Sequence, residues 1–437
     1  MRLWPLVLVW FALAAPWSAA LDYGGNLDNL TGYSSGESEG DRLDETLRLS
    51  LWVDEMVANH LLFQAQVSYA YSLDRPFLLD ADQLSLNGRF PTEGRVLTGL
   101  GLDLGRFSVR DVSGYLFSHN VDGLRLQLYT PVLYANLTGG YTGLVAKGNS
   151  NITMTQADSL DSEDDDVYFA PARLVTSAEL VFPELAARQT VTVSYWGQFD
   201  FRPTDDLAEA GDTDQALPGG RLSTHYPGFR VSGPIAGGFY HDLFGFAVMG
   251  KTLSYRTGAG EFVSATLLGY LAGYGLRWYL PEFLSSAIGL RLLYASGDGD
   301  ATSTIDGNQD GNATAFVPIS KTGLGLIFNP PLTNLAYGEI SYSVKPLAGA
   351  ATLRTDQLQT LLRLGVFFRT SQGILSEAGF LTDSDSYYLG SEINIVVNLR
   401  PFSDLGFSVA AGAFLPSSDA FARDAEGAAR VTASLRF

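Results

Sequence analysis

Apolar and polar residues alternate with a period of two along most of this chain, in stretches of about ten residues separated by clusters of turn-forming residues. In the last stretch Ala429, Val431, Ala433, Leu435 and Phe437 share one face, and Arg430, Thr432, Ser434 and Arg436 share the other. Side chains of a β-strand point alternately to its two sides, so this pattern suits a wall between an apolar and an aqueous medium. Read backwards from Phe437, the alternation predicts strands at 426–437, 404–415, 386–400, 373–381, 357–369, 333–345, 316–329, 284–296, 261–279 and 242–256. It continues through 221–232, 189–202, 169–182, 132–147, 121–130, 97–110, 78–89, 58–72, 43–54 and 21–34.

The connections between these stretches are of two kinds. Long polar segments at 148–168, 203–220 and 297–315 fall on one side of the wall. Pro183-Glu184-Leu185, Pro281-Glu282-Phe283, Pro330-Pro331 and Arg400-Pro401-Phe402-Ser403 fall on the other. Long external loops and short periplasmic turns are the signature of an outer-membrane barrel, and proline belongs in its connections because it cannot donate to a strand ladder. The expectation is an all-β fold, a transmembrane antiparallel β-barrel of about 18 strands within a range of 16–20. A strand that ends on an aromatic residue, Phe437, is also the expected handle for the barrel-assembly machinery.

Alternation assigns sides to single residues. Leu47, Leu49, Leu51 and Val53 oppose Thr46, Arg48, Ser50 and Trp52. Leu362, Leu364, Val366 and Phe368 oppose Arg363 and Arg369, and Ile393, Ile395, Val397 and Leu399 oppose Glu392, Asn394 and Asn398. Arg125 and Gln127 oppose Leu124, Leu126 and Leu128, while Arg291 opposes Leu290 and Leu292. A cation on the lipid face at mid-bilayer costs about 2–4 kcal/mol, so the charged sets are assigned to the lumen. The expected lumen set is Arg48, Arg106, Arg110, Arg125, Arg291, Lys345, Arg363, Arg369, Arg430 and Arg436, against Asp200, Glu339 and Glu392.

At the start of the chain, Arg2 precedes an apolar run from Leu3 to Ala15, followed by Pro16-Trp17 and the small residues Ser18, Ala19 and Ala20. This is the layout of a secretory signal, so residues 1–20 are expected to be a leader and 21–437 the barrel. The chain has no cysteine, which rules out disulfides and zinc-thiolate or cysteine-nucleophile chemistry. With 21 Tyr and 26 Phe it has aromatic residues enough for the girdles of a barrel. A net charge of −19 argues against a nucleic-acid partner.

The strand Leu104-Gly105-Arg106-Phe107-Ser108-Val109-Arg110-Asp111 is followed by Asp122-Gly123-Leu124-Arg125-Leu126, and this pair resembles the Gly-Arg-Gln and Asp-Gly strands of the alginate-export family and its relatives among large outer-membrane porins. Tyr294-Ala295-Ser296-Gly297-Asp298 is similar to a strand-end motif of the same family. The resemblance implies an 18-stranded monomeric barrel with positive lumen side chains for an anionic polysaccharide. Phe107 departs from it, standing where the family commonly has Gln.

Guanidinium groups bind carboxylates in bidentate fashion and lower the barrier for anions, so the residue pattern itself points to a channel for polar, anionic solutes or oligosaccharides. The strand, the infolding segment 111–120 and the returning strand would bring Arg106, Arg110 and Arg125 to its constriction. The bland alternative is that these arginines pair with inward acids and fill the wall. A second alternative is a plugged barrel acting as a surface adhesin or structural protein. The acidic runs Asp161-Ser162-Glu163-Asp164-Asp165-Asp166, Asp298-Gly299-Asp300 and Asp306–Asn312 match no EF-hand spacing and read as solvated external loops. His60, His119, His225 and His241 lack the orienting third group of a catalytic dyad or triad, so neither catalysis nor a metal or cofactor is expected.

Overall fold

Strands that must cross hydrocarbon can leave no backbone N–H or C=O unpaired, and the solution here is a ring. The computed structural model describes residues 21–437 apart from 37–39, 74–76, 202–206, 215–216, 218, 220–221, 257, 302–307, 310–311 and 349–356. Residues 1–20, the expected leader, lie outside the described residues. The strands are β1 (Asp22–Ser35), β2 (Arg42–Ala58), β3 (Leu61–Ser72), β4 (Leu78–Pro91), β5 (Gly99–Arg110) and β6 (Ser118–Tyr129). They continue as β7 (Tyr134–Tyr141), β8 (Arg173–Ala186), β9 (Gln189–Asp200), β10 (Ser223–Pro234), β11 (Phe239–Arg256) and β12 (Glu261–Leu280). The ring is completed by β13 (Ser286–Ala295), β14 (Leu335–Val344), β15 (Gln359–Phe368), β16 (Tyr388–Leu399), β17 (Leu405–Pro416) and β18 (Glu426–Arg436). Every strand pairs antiparallel with its sequence neighbours, and β1 pairs with β18 from Asn26↔Arg436 to Ser35↔Gly427, which closes an 18-stranded barrel. Phe437 finishes the seam by exchanging backbone hydrogen bonds with Gly25.

The faces follow the sequence alternation. Leu51, Leu364 and Ile393 are 53%, 51% and 47% exposed on the outer wall, whereas Ser50 and Glu392, on the inward sets, are buried. One β-bulge adjusts the inner face: Gln66 faces Gln83 while the next residue, Val67, faces Ala81, so Asp82 is the extra residue of β4.

Two expected strands are not strands. Segments 316–329 and 373–381 lie inside the connections β13–β14 and β15–β16. Their apolar residues alternate because they fill the lumen: Phe316, Val317, Ile319, Leu324, Phe328 and Leu375 are all buried. Pro318, Pro330 and Pro331 also deprive the first segment and its exit of ladder donors. Removing 316–329 as a wall strand moves Pro330-Pro331 from the periplasmic to the external side. The expected strand 132–147 stops early, as β7 ends at Tyr141.

The infolded segment is held at two points. Glu392 of β16 accepts the backbone N–H of Leu326, Ile327 and Phe328 at 2.6, 3.3 and 2.7 Å. Three successive N–H groups converging on one carboxylate form an anion nest, so Glu392 is an anchor and not the free pore-lining acid expected from alternation. The phenyl ring of Phe328 stacks on Phe414 at 4.4 Å and meets Phe367 edge-on at 4.9 Å. Arg423, paired with Glu426 at 3.1 Å, covers the group with its guanidinium 4.5 Å from the Phe421 ring centre.

Leu364→Arg, at mid-strand on the lipid face, is expected to cost about 2–4 kcal/mol, read by urea unfolding in lipid vesicles. Arg363→Leu, one residue away on the lumen face, should cost clearly less. Glu392→Ala strands the buried N–H of Phe328, at about 1–3 kcal/mol, and the half-buried N–H groups of Leu326 and Ile327 at less. It should release segment 326–328 and raise both the mean and the noise of single-channel current.

Candidate solute pathway

The wall ladder is interrupted at one hairpin. β4 pairs with β5 only as far as Leu84↔Arg106, and β7 pairs with β6 only as far as Asp122↔Tyr141. Beyond those pairs, residues 107–121 pair only within the hairpin itself. Two facing glycines mark the bend. Gly105 has a φ of +111°, where a side chain is strained, and a Cβ on it would run into the carbonyl oxygen of Leu84. A Cβ on Gly123 would strike the backbone of Gly139 and Gly140. The hairpin therefore leaves the wall and turns into the lumen. One face, with Phe107, Val109 and Val121, is buried against Leu116, Phe117, Ile152 and Trp196. Its tip reaches across to β11, where Tyr115 stacks on Phe244 at 5.6 Å.

Where the ladder stops, Arg106 takes its place. Its guanidinium meets Asp122 at 2.8 Å and Asp80 at 3.1 Å, and donates to the carbonyl oxygens of Ala81 and Leu144 at 2.9 and 2.8 Å. One side chain thus joins β4, β6 and the β7–β8 connection. Strict alternation would have set Arg106 on the side of Leu104; the inward turn of the hairpin brings it back inside. It is a clamp with its donors occupied, and not a free lumen cation.

Asp111 shapes the tip. It accepts from the N–H of Ser113, Leu116 and Phe117 at 2.7, 3.1 and 2.9 Å and from the Ser113 hydroxyl at 2.6 Å. Its burial pushes the carboxyl group up from the usual range, against the pull of those donors. Segment 313–333 then braces the hairpin from the external side. Ile319 and Ser320 both donate to Leu116 O, at 3.0 and 3.1 Å, and Ser118 N–H donates to Ser320 Oγ at 2.8 Å. The β7–β8 connection adds Asn151 Nδ2 to Ser118 O at 2.8 Å. This connection carries a short helix, α1 (Gln156–Glu163), capped by Thr155 and Asp158. Asp158 and Asp200 hold the fully buried Arg173 at 2.5 and 2.8 Å, tying α1 to the wall.

A cavity of about 700 Å³ lies between the hairpin tip and the inner wall of β10–β14. Four arginines line it: Arg110, Arg230, Arg277 and Arg291. Arg230 makes a two-pronged pair with Asp242 at 2.7 and 2.8 Å. Arg291 stands 3.8 Å from Glu339, whose carboxylate also accepts Tyr337 Oη at 2.8 Å. Arg110 and Arg277 have no carboxylate partner among the described residues; Arg277 donates only to Tyr279 Oη, at 3.2 Å. Tyr115, Tyr240 and Tyr279 supply aromatic surface and hydroxyls beside these cations.

Of the expected constriction residues, then, the structure brings Arg110 to an open cavity together with Arg291 and Glu339. Arg125 lies beneath the hairpin, its guanidinium 4.7 Å from the Phe107 ring centre and 3.5 Å from Asp103. Arg48 is elsewhere on the wall, paired with Asp82 at 2.6 Å. Arg363 faces the lumen from β15 and is not among the cavity residues. Arg369 is buried in the β15–β16 connection on the carbonyls of Ser384 and Ser386. Arg230 and Arg277 belong to the same alternation in β10 and β12 but were not in the expected set. His119 is buried against Ser150 Oγ at 3.2 Å with its other nitrogen on Asn120 O, so no carboxylate orients it. His225 and His241 bind Tyr195 and Gln189.

No family model matches the sequence, and no curated protein matches it. Among solved structures the chain is similar to OpdQ of Pseudomonas aeruginosa, with a TM-score of 0.57 and 11% identity over 95% of this chain and 98% of that one. The outer membrane protein opdK of the same organism gives 0.56 and 11% over the same shares. OccK2 (OpdF) of P. aeruginosa, solved in complex with glucuronate, gives 0.52 and 12% over 97% of this chain and 99% of that one. At these identities the likeness is one of fold, and it runs nearly end to end: the chain has the 18-stranded barrel of Pseudomonas outer-membrane proteins.

Proposed function

We propose that this protein is a monomeric outer-membrane channel through which small polar solutes, chiefly carboxylates, diffuse. The observation behind the reading is the cavity at the hairpin tip, where Arg110 and Arg277 lack carboxylate partners among the described residues of an otherwise acidic chain. Unpaired guanidinium groups in a narrowed, partly desolvated passage attract anions and can meet a carboxylate through two parallel hydrogen bonds. Similar barrels have been solved with glucuronate and, for OpdK, with vanillate, each of which carries one carboxylate. The resemblance to alginate-export proteins would extend the solute class to uronate oligomers. Assembly through the strand ending at Phe437, a cleaved leader at 1–20 and a lipid contact along the outer wall belong to the same reading.

The plugged alternative draws on the infolded segment 313–333, and conductance separates the two. In planar bilayers under a potassium chloride gradient, the wild type should conduct and prefer chloride. Arg110→Gln with Arg277→Gln should bring the chloride-to-potassium permeability ratio close to one. A folded protein that opens no pore would favour the plugged barrel, and an unchanged ratio in the double variant would remove these arginines from the selectivity site.

A further inference from the structure

The opposite wall of the periplasmic half of the lumen has another chemistry. On β2, β3 and β4 the inward positions below the Arg48–Asp82 pair include Trp52, Asp54, Gln64, Gln66, Gln83 and Asn87, all partly exposed; Ser85 between the last two is buried, and Arg89, next after Asn87, is held by Asp103 at 2.7 Å. Their amide N–H groups are turned along the wall. Gln64 Nε2 donates to Asp54 at 3.2 Å, Gln83 and Asn87 both donate to Gln64 Oε1 at 3.0 and 2.9 Å, and Gln66 donates to Asp82 at 3.1 Å. The amide oxygens of Gln66, Gln83 and Asn87 accept no hydrogen bond among the described residues. What this wall offers a solute is therefore a row of amide oxygens, with the second N–H of Gln64 and of Gln66 and the indole N–H of Trp52 beside them, a lining that suits hydroxyl groups, which both donate and accept.

Trp52 borders the row. Its indole folds over Gly24 of the neighbouring strand, so closely that a Cβ there would come within 2.7 Å of Cζ2. Glycine at that register position lets the ring lie down on the wall. Trp52 sits beside Gln66 in the ladder, and its N–H has no partner among the described residues. The two other tryptophans among the described residues are used differently: Trp196 is 1% exposed within the lumen core, and Trp278 stacks on Phe239 on the lipid side.

We propose that this strip is a binding site for polyhydroxylated, uncharged solutes or solute segments, with the Trp52 ring against the C–H face of a sugar and the amide oxygens accepting its hydroxyl protons. Three strands about 4.8 Å apart set the row at about 10 Å across, enough for more than one sugar ring. The proposal rests on the channel reading and places a second, neutral subsite across the lumen from the arginines. An aromatic face with convergent acceptors is a common way to hold an amphipathic ring without a charge.

Maltotriose, which is neutral and rich in hydroxyls, is the probe, and polyethylene glycol of the same mass, which has hydroxyls only at its ends, is the size control. In planar bilayers maltotriose should interrupt wild-type current at concentrations where the glycol does not. Trp52→Ala should raise the half-blocking concentration about tenfold, Gln66→Leu, which removes one of the open amide oxygens, should raise it too, and Arg277→Gln should leave it unchanged. Equal block by both probes, or equal block in wild type and Trp52→Ala, would overturn the proposal. Failure of the channel reading is kept apart by a titration that needs no current. In detergent-solubilised Trp278→Phe protein, maltotriose should change the emission saturably, and the change should vanish when Trp52→Phe is added. No saturable change, or one that survives Trp52→Phe, would overturn the site whether or not the protein conducts.

Discussion

A barrel wall in hydrocarbon must pair its own backbone, and above Leu84↔Arg106 and Asp122↔Tyr141 this wall gives up that pairing in order to send a hairpin inward. The gap is tolerable because Arg106 spans it, bonding two carboxylates and two carbonyls on three separate elements. Four charge-assisted bonds in one place stand in for the missing rungs. The inward hairpin, the cavity at its tip and the division of the lumen all depend on this substitution of a side chain for a ladder.

The division gives the lumen two unlike walls. Toward β10–β14 the hairpin tip faces arginines and tyrosines, and toward β2–β4 the surface is a row of amides, Asp54 and one indole. On the external side segment 313–333, anchored on Glu392 and packed around Phe328, occupies the space that a wider pore would leave open. The ring of 18 strands alone would enclose a wide aqueous lumen, and it is the folded-in segments that narrow it.

Much of this was legible in the chain. A strict period of two fixes which residues meet lipid, and Leu364 and Ile393 lie where alternation puts them. The terminal strand supplied the register, and closure with β1 at Asn26↔Arg436 agrees with it. Alternation failed where apolar residues face protein instead of lipid. Phe316, Ile319 and Phe328 look like a wall strand because burial in the lumen calls for the same side chains as burial in a membrane, though Pro318 and Pro330-Pro331 were the available warning. Glu392 was read as a free lumen acid because sequence shows sidedness and not partners. Arg106 was misjudged for the same reason, and Gly105 and Gly123 were the visible trace of the bend that moved it.

The account stands on the claim that solutes pass the hairpin tip. The chain has no cysteine, so Val112→Cys creates a single thiol at the cavity. Labelling it with a negatively charged methanethiosulfonate reagent while recording single-channel current and reversal potential is the most direct test. Current and chloride preference should both fall on labelling, with a smaller loss of chloride preference for a neutral reagent of the same size. Complete labelling, verified by mass, with current and selectivity unchanged would place the pathway elsewhere and contradict the account.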